Sequence, residues 1–473
     1  MAERKKRAAP QQSVQLPVPT RLFAEGEAAA EQSEAMRRVE AGLLQLADRL
    51  AAPLGMDRRR FLQSSCGMAA AFLALNAVFG PLFAVAPAEA ADPEAAAARE
   101  AGLQGQLIFD VQTHFVHPAY PSTGILGLRE LARPWNPQLQ GQQTLADIRF
   151  DSYFREVFLQ SETALALLSN APHEDPQRWF LSNDEAARAR QAVNDRAGSR
   201  RLFAHAVFTP GAPGWLEELE RAAAWRPDGW KGYTVGSPFG DSKWPWRLDD
   251  EKLLYPAYER MVKAGITTVA IHKGLLPSGY RERMAKTWRF GGVDDLPKAA
   301  RDWPQLNFVI YHSALRDGGI PSQAEQETFE RTGEIPWVSD LARIPGEHGV
   351  KNVFAELGSI FAITAVSAPR YCAGILGTLI KGMGEDRVVW GTDSVWYGGP
   401  QWQIEALRRL EIPEDLQKKF GFRPLGPGNG PVKNRIFAAN AAAIHPYSAA
   451  AVGSDELARM KAAARKEGGA ERH

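Results

Sequence analysis

From Leu107 onward the chain alternates two patterns. Short, continuous apolar runs rich in β-branched and aromatic residues are followed by longer segments whose apolar residues recur with helical spacing. The runs occupy 107–113, 164–169, 202–209, 229–235, 266–272, 306–312, 352–357 and 388–393. Several lack the polar alternation of a half-exposed sheet, as strands covered on both faces do. Helices are predicted between them at 151–160, 184–195, 215–225, 249–263 and 402–410, with a closing helix at 432–444. Asp249-Asp250-Glu251 supplies an acidic start to one of these and Gly265 a stop. Eight strand-then-helix units predict a (β/α)8 TIM barrel, an α/β fold, with long loops at its C-terminal face. A doubly wound open sheet is the alternative; no Gly-x-Gly-x-x-Gly loop follows an early strand to support it.

Polar residues end these apolar runs in a telling order. Asp110-Val111-Gln112-Thr113-His114 closes the first, Lys231 lies in the fourth, His272 and His312 close the fifth and sixth, and Asp393 closes the last. In a closed parallel barrel the C-terminal ends of all strands meet at one face, so residues far apart in sequence share one site. Gln112 and His114 lie on the same side of their strand because side chains alternate with period two. Imidazoles and a carboxylate converging there are the donors of a catalytic metal site with an open position.

These residues, in this order, resemble the amidohydrolase superfamily, and within it the amidohydrolase-related branch that includes aminocarboxymuconate-semialdehyde decarboxylase and the pyrone dicarboxylate lactonases. The resemblance covers 107–446 and rests on Asp110–Phe115 for the strand-1 His-x-His, Ala270-Ile271-His272, Val309–His312, Trp390-Gly391-Thr392-Asp393 and a terminal helix with Asn440-Ala441. It implies one divalent metal, zinc or manganese, held by His114, His272, Asp393 and the residue at position 112. It also implies Asp393 as a base on the attacking water and His312 as an acid or base that polarises the substrate. The departure is Gln112, where the family has histidine; an amide oxygen is a poorer ligand for zinc. Weaker metal binding, another divalent ion, or recruitment of His117 are the alternatives, His117 otherwise reading as a loop or substrate-facing histidine. Lys231 falls where two-metal members of the superfamily hold a carboxylated lysine; it bridges metals in that way or orients a substrate carboxylate.

The loops after the strands, 118–150, 236–246, 273–302 and 313–351, carry Trp135, Trp244, Trp246, Trp288, Arg281, Arg283, Arg289 and Arg316. At the catalytic face such loops roof a substrate. Arg289 is therefore taken as a candidate contact for an acidic substrate. Glu356, Glu162, His205, His348 and His445 read as structural or surface residues, and Cys372 as a small buried hydrophobe.

Composition changes the picture only at the N-terminus. The apolar fraction of 45%, the charged fraction of 23% and the net charge of +1 are ordinary for a globular protein. No basic stripe points to nucleic acid. Residues 56–90, however, read as an export signal: Asp57-Arg58-Arg59-Arg60-Phe61-Leu62 fits the twin-arginine pattern, an apolar run spans 66–87, and Ala88-Glu89-Ala90 fits a cleavage site. A transmembrane anchor is the alternative, interrupted by Asn76, Gly80 and Pro81. The division is then an extension at 1–55 that is disordered or precedes the true start, the signal at 56–90, the barrel at 91–450 and a tail at 451–473. Met36–Leu50 has the spacing of an amphipathic helix. The expected partners are the twin-arginine export machinery and a small-molecule substrate, in the periplasm; barrels of this type often form homodimers. Of the two cysteines, Cys66 leaves with the signal, so the mature chain has no intramolecular disulfide.

The sequence reading is thus an exported, metal-dependent hydrolase of a small amide, lactone or ester. A non-oxidative decarboxylase of a small unsaturated or aromatic acid is the alternative within the same branch. A barrel that has lost its metal and binds without catalysis is the alternative that Gln112 keeps open.

Overall fold

Eight strands pair in sequence order, every neighbour parallel: β1 (Phe109–Thr113), β2 (Leu165–Leu168), β3 (Leu202–Val207), β4 (Gly229–Tyr233), β5 (Thr268–His272), β6 (Asn307–Tyr311), β7 (Val353–Glu356) and β8 (Val388–Val389). The ring closes between the last strand and the first. The Val111 and His114 N–H groups donate to Trp390 O at 2.9 Å and Ser394 O at 2.6 Å, and the Asp393 N–H donates to Gln112 O at 2.9 Å. This is the (β/α)8 barrel that the sequence predicts. The computed structural model describes residues 16–20, 32–121, 143–236 and 241–445, with Leu126, Arg129 and 459–460; Trp135 and most of the tail lie outside these.

β8 is short because the chain leaves the ladder at Trp390. A carboxylate from β1 takes over there: Asp110 accepts from the Gln112 N–H at 3.1 Å, the Thr392 N–H at 3.0 Å and the Thr392 hydroxyl. Burial pushes the Asp110 carboxyl up to about 7 against those hydrogen bonds.

Among the described residues, the helices used below are α1 (Glu34–Leu50), α2 (Arg58–Leu62), α3 (Ser65–Phe79), α4 (Pro87–Ala91), α5 (Pro93–Leu103), α6 (Asn183–Ala197), α7 (Trp215–Ala223), α8 (Tyr255–Ala264), α9 (Val338–His348), α10 (Pro369–Met383) and α11 (Gln401–Arg409). Local chemistry sets their ends. Ser182 and Glu185 form a capping box at the start of α6, and Gly198 ends it at φ 68°. The helix expected from Asp249 begins instead at Tyr255, with turns before it. Pro256 has no N–H and is accommodated in the first turn. The segment expected as a helix at 151–160 is one turn of α-helix followed by a π-helix, Phe154–Leu159.

The lower end of the barrel is plugged with apolar residues. Phe109, Leu165, Leu167, Phe203, Val309 and Val389 pack inside it, and Ala438, Ala441 and Ile444 close it from the C-terminal segment. Asn440 fastens that segment by donating to Glu385 O and Val388 O, each at 2.7 Å. With its base closed, the barrel leaves its upper end for chemistry.

Candidate active site

The strand ends deliver their polar side chains to one pocket. Gln112, His114, His272, His312 and Asp393 line it, together with Tyr120, Arg178, Phe180, Tyr233 and Trp396. All five polar residues are buried, His272 the most exposed at 6%. Three of their atoms form a tight triangle: His114 Nε2 lies 2.7 Å from Asp393 Oδ1, Gln112 Nε2 donates to the same oxygen at 2.9 Å, and Gln112 Nε2 is 3.3 Å from His114 Nε2. The other carboxylate oxygen of Asp393 accepts from the Ser359 hydroxyl, which is also 3.1 Å from the Tyr397 hydroxyl.

The other two imidazoles have their tautomers set by a carbonyl. His312 Nδ1 lies 2.9 Å from Gly358 O, an oxygen that only accepts, so Nδ1 carries the proton and Nε2 the lone pair. That lone pair accepts from His272 Nδ1 at 3.1 Å. His272 Nε2 is consequently left with a free lone pair. The ring is held flat on Tyr233, with centroids 4.3 Å apart and planes at 11°. His114 is stacked in the same way on Trp396, 5.5 Å away at 13°.

Electrostatics keep the acid charged and the bases neutral. Burial pushes Asp393 up, but the hydrogen bond from His114, the electrostatic influence of the His114 and His312 rings, and the Ser359 hydroxyl together hold it below the usual carboxylate range. Burial moves His312 down to about 4, with Lys231 repelling a proton and Asp393 partly offsetting this. Burial and His312 hold His272 well below the ordinary imidazole value. Glu356 goes the other way, pushed up to about 8 by burial even though its Oε2 accepts from the His312 N–H at 3.0 Å. Its structural role is therefore to pin the ends of β6 and β7 together. The backbone is strained at the same place: His312, Ser359 and Asp393 hold φ of 61°, 56° and 62°, in the left-handed region that costs a non-glycine residue energy.

Lys231 does not line the pocket. It is fully buried, its Nζ lies 3.2 Å from the centre of the Tyr311 ring and makes no hydrogen bond, and burial holds it well below the usual lysine value. His117 and Arg289 correct the sequence reading, because neither reaches the pocket. His117 Nε2 is 3.2 Å from Gln177 O and its Nδ1 accepts from the Ala119 N–H, so loop backbone has claimed both nitrogens. Arg289 is exposed and stacks on Trp288 at 4.6 Å, on the outer side of the loop after β5. Among the expected roof residues, Trp246 packs on Phe208, and Arg316 is paired with Asp317 at 2.8 Å.

Ser359, Arg178, Phe180, Tyr233 and Trp396 went unnoticed in the sequence. Tyr233 and Trp396 carried a signal: Tyr233 is two residues past Lys231 on the same face of β4, and Trp396 follows Asp393 by three. Arg178 and Phe180 come from the loop after β2 and carried none.

Donor chemistry tests whether this set suits a divalent cation. Among the described residues no three histidine, cysteine or carboxylate side chains gather closely enough to hold an ion by themselves. With the amide of Gln112 the set closes, since its polar atom, His114 Nε2 and Asp393 Oδ1 are mutually 2.7–3.3 Å apart, the spacing of neighbouring ligands on one small cation. Gln112 Oε1 and His114 Nδ1 are buried without a partner, which marks the cluster as under-satisfied. A half-turn of the carboxamide exchanges its nitrogen and oxygen and presents Oε1 to the triangle. The residues fit an oxygen-preferring divalent ion, with glutamine as the weak third donor.

An eight-stranded barrel with a buried polar cluster at its C-terminal face defines a class of barrel enzymes. Residues 109–445 match the family model described as Amidohydrolase, and the chain belongs to that family. No curated protein sequence matches the chain. Solved structures to which it is similar include an uncharacterised TIM-barrel protein from Bordetella bronchiseptica (13% identity, 73% of this chain, 99% of that chain, TM-score 0.46). Another is 5-carboxyvanillate decarboxylase from Novosphingobium aromaticivorans complexed with manganese (15%, 73%, 97%, 0.44). A third is an amidohydrolase from Burkholderia multivorans (12%, 72%, 100%, 0.41).

Proposed function

We propose that this chain is a metal-dependent hydrolase acting on a small carbonyl compound that carries an acidic group, such as a lactone or amide. The observation that carries the reading is the convergence of the buried Asp393 carboxylate with His114, His272 and His312 in one pocket at the strand ends. A base must be unprotonated at the working pH and within reach of the proton it takes; Asp393 and His312 meet the first condition and line the pocket for the second. Asp393, His114 and the amide oxygen of Gln112 would hold a divalent cation, with His272 lining the same pocket. That cation supplies Lewis acidity, polarising a carbonyl and acidifying water.

The chain's own residues do the rest. Ser359 fixes the Asp393 carboxylate in one orientation through its hydroxyl, leaving it ready to accept a proton from water. His312, with Nδ1 tied to Gly358 O, keeps its Nε2 as an acceptor and holds His272 in turn. Tyr120, Phe180, Tyr233 and Trp396 form aromatic walls that exclude bulk water and fit a planar substrate, and Arg178 at the pocket pairs with its acidic group. The same walls and arginine favour a second reading, decarboxylation of a small aromatic or unsaturated acid, in which Asp393 assists proton transfer to the ring. Export by the twin-arginine route is part of the proposal, supported by the arginines at 58–60.

The test is metal analysis of the purified full chain after incubation with zinc or manganese, followed by a screen of lactones, amides and aromatic acids with both acid release and carbon dioxide monitored. About one equivalent of metal, lost in Asp393→Asn and His114→Ala, supports the reading, and carbon dioxide release selects the second reaction. No bound metal and no turnover of any class would leave a binding barrel without catalysis.

A further inference from the structure

The apolar stretch behind the arginines is packed as a protein interior is packed. α2 buries Phe61 and Leu62, and α3 buries Cys66, Phe72 and Leu75, all at 2% exposure or less. The two helices approach so closely that a Cβ on Gly67 would lie 2.2 Å from Phe61 O. α1 covers α3 with Val39, Leu43 and Ala47, each fully buried. Among the described residues no helix is long and apolar enough to cross a membrane.

Asn76, which interrupts the apolar run, has a structural task. Its amide donates to Phe83 O at 2.8 Å, and its Oδ1 accepts from the Leu82 and Phe83 N–H groups at 3.1 and 2.9 Å. The turn so fixed pairs antiparallel with the end of α11: the Ala84 N–H donates to Arg409 O at 2.7 Å and the Glu411 N–H to Leu82 O at 2.8 Å. Charges fasten the same seam. Arg409, 3% exposed, pairs with Glu89 at 2.7 Å, and Arg99 of α5 pairs with Glu405 of α11 at 2.8 Å. α11 in turn reaches the site, since the Gln403 amide donates at 3.3 Å to the carbonyl of Thr392, the residue before Asp393.

We propose that residues 57–103 are retained in the working protein as a brace that holds α11 and the end of β8, and that Ala88-Glu89-Ala90 is not cut once the chain has folded. A processing protease needs an exposed, extended segment. Here Ala88–Ala90 lies inside α4, Ala90 is fully buried, and the Asp92 N–H donates to Ala88 O at 2.9 Å. Arg59 and Arg60 stay exposed on α2, so the arginines remain readable by an export receptor while the helices behind them stay docked. Cys66 then stays too.

The experiment has two arms, neither of which depends on catalytic activity. The intact mass and N-terminus are measured for protein recovered from the cytoplasm and the periplasm of a host with twin-arginine machinery; a chain still carrying residues 57–90 is expected in both, and an N-terminus at Ala91 overturns the proposal. Separately, a specific protease site is inserted at the exposed Gln104-Gly105 turn and the purified full chain is nicked. The fragments are expected to co-elute and melt together, with Asn76→Ala lowering the midpoint by about 2 °C or more. Separation of the N-terminal fragment, with the rest melting at the temperature of the uncut chain, overturns it.

Discussion

The two ends of the barrel are built from the same eight strands and follow opposite rules. At the lower end Phe109, Phe203, Ile444 and their neighbours fill the ring, and two polar groups that close it are tied down: the Thr268 hydroxyl donates to Ile444 O at 2.8 Å, and His445 Nδ1 is 3.0 Å from Asp228 O. At the upper end, Gln112 Oε1, His114 Nδ1 and both amide atoms of Asn170 are buried without partners, and three site residues sit in left-handed backbone. An unsatisfied buried polar group costs roughly 1–3 kcal/mol. A fold keeps such costs where a ligand can repay them. The lower end supplies stability and the upper end spends some of it on reactivity.

Four measurements break or sharpen that comparison. The largest effect is expected at the top: Asp393→Asn should lower kcat by about 10³-fold or more while leaving the thermal midpoint near that of the parent, because it removes a poised base and spares the packing. Loss of the folded state would mean instead that the upper end is structural. At the bottom, Phe203→Ala should destabilise by about 3–5 kcal/mol in denaturant titration with turnover per folded molecule unchanged. An equal loss of turnover would erase the division between the ends. Arg178→Gln should raise KM for an acidic substrate by roughly 10- to 100-fold with kcat little altered, the loss expected for one charge-assisted hydrogen bond. An unchanged KM would remove Arg178 from substrate binding.

The smallest effect concerns pH and the lower end. His445 is lowered to about 4, chiefly by burial, against an ordinary value of 6.5. The unfolded chain therefore binds a proton first as pH falls, so this histidine's contribution is intact above pH 6.5 and is lost between there and about 4. Unfolding free energy should decline across that window with a slope no steeper than about 1.4 kcal/mol per pH unit per proton. A His445→Gln variant should show a flatter decline, and an unchanged slope would assign it to other groups.

Much of the site was legible because the order of strand-end residues is a property of the chain. Gln112, His114, His272, His312 and Asp393 could be gathered on paper, since parallel strands of a barrel finish at one face. His117 and Arg289 were misplaced for a matching reason. Both sit on loops, where spacing says nothing of direction, and backbone carbonyls or a neighbouring tryptophan claimed them. Arg178 and Ser359 were missed because they meet the site only after distant segments close on it.

The N-terminal helices show where such reading stops. An apolar run with small residues has the same composition whether it is a signal, a membrane span or a helix inside a protein. The seam with α11, with Asn76 holding a turn and Arg409 meeting Glu89, is what the proposal of a retained brace rests on. The sequence by itself determined the barrel, its strand ends and the residue types that meet there, because periodicity and order are local and one-dimensional. Tertiary structure alone decided which tautomer each histidine holds, which atoms go unsatisfied, and what covers the apolar helix. Those depend on distances between residues hundreds of positions apart, and closing the chain on itself is what sets them.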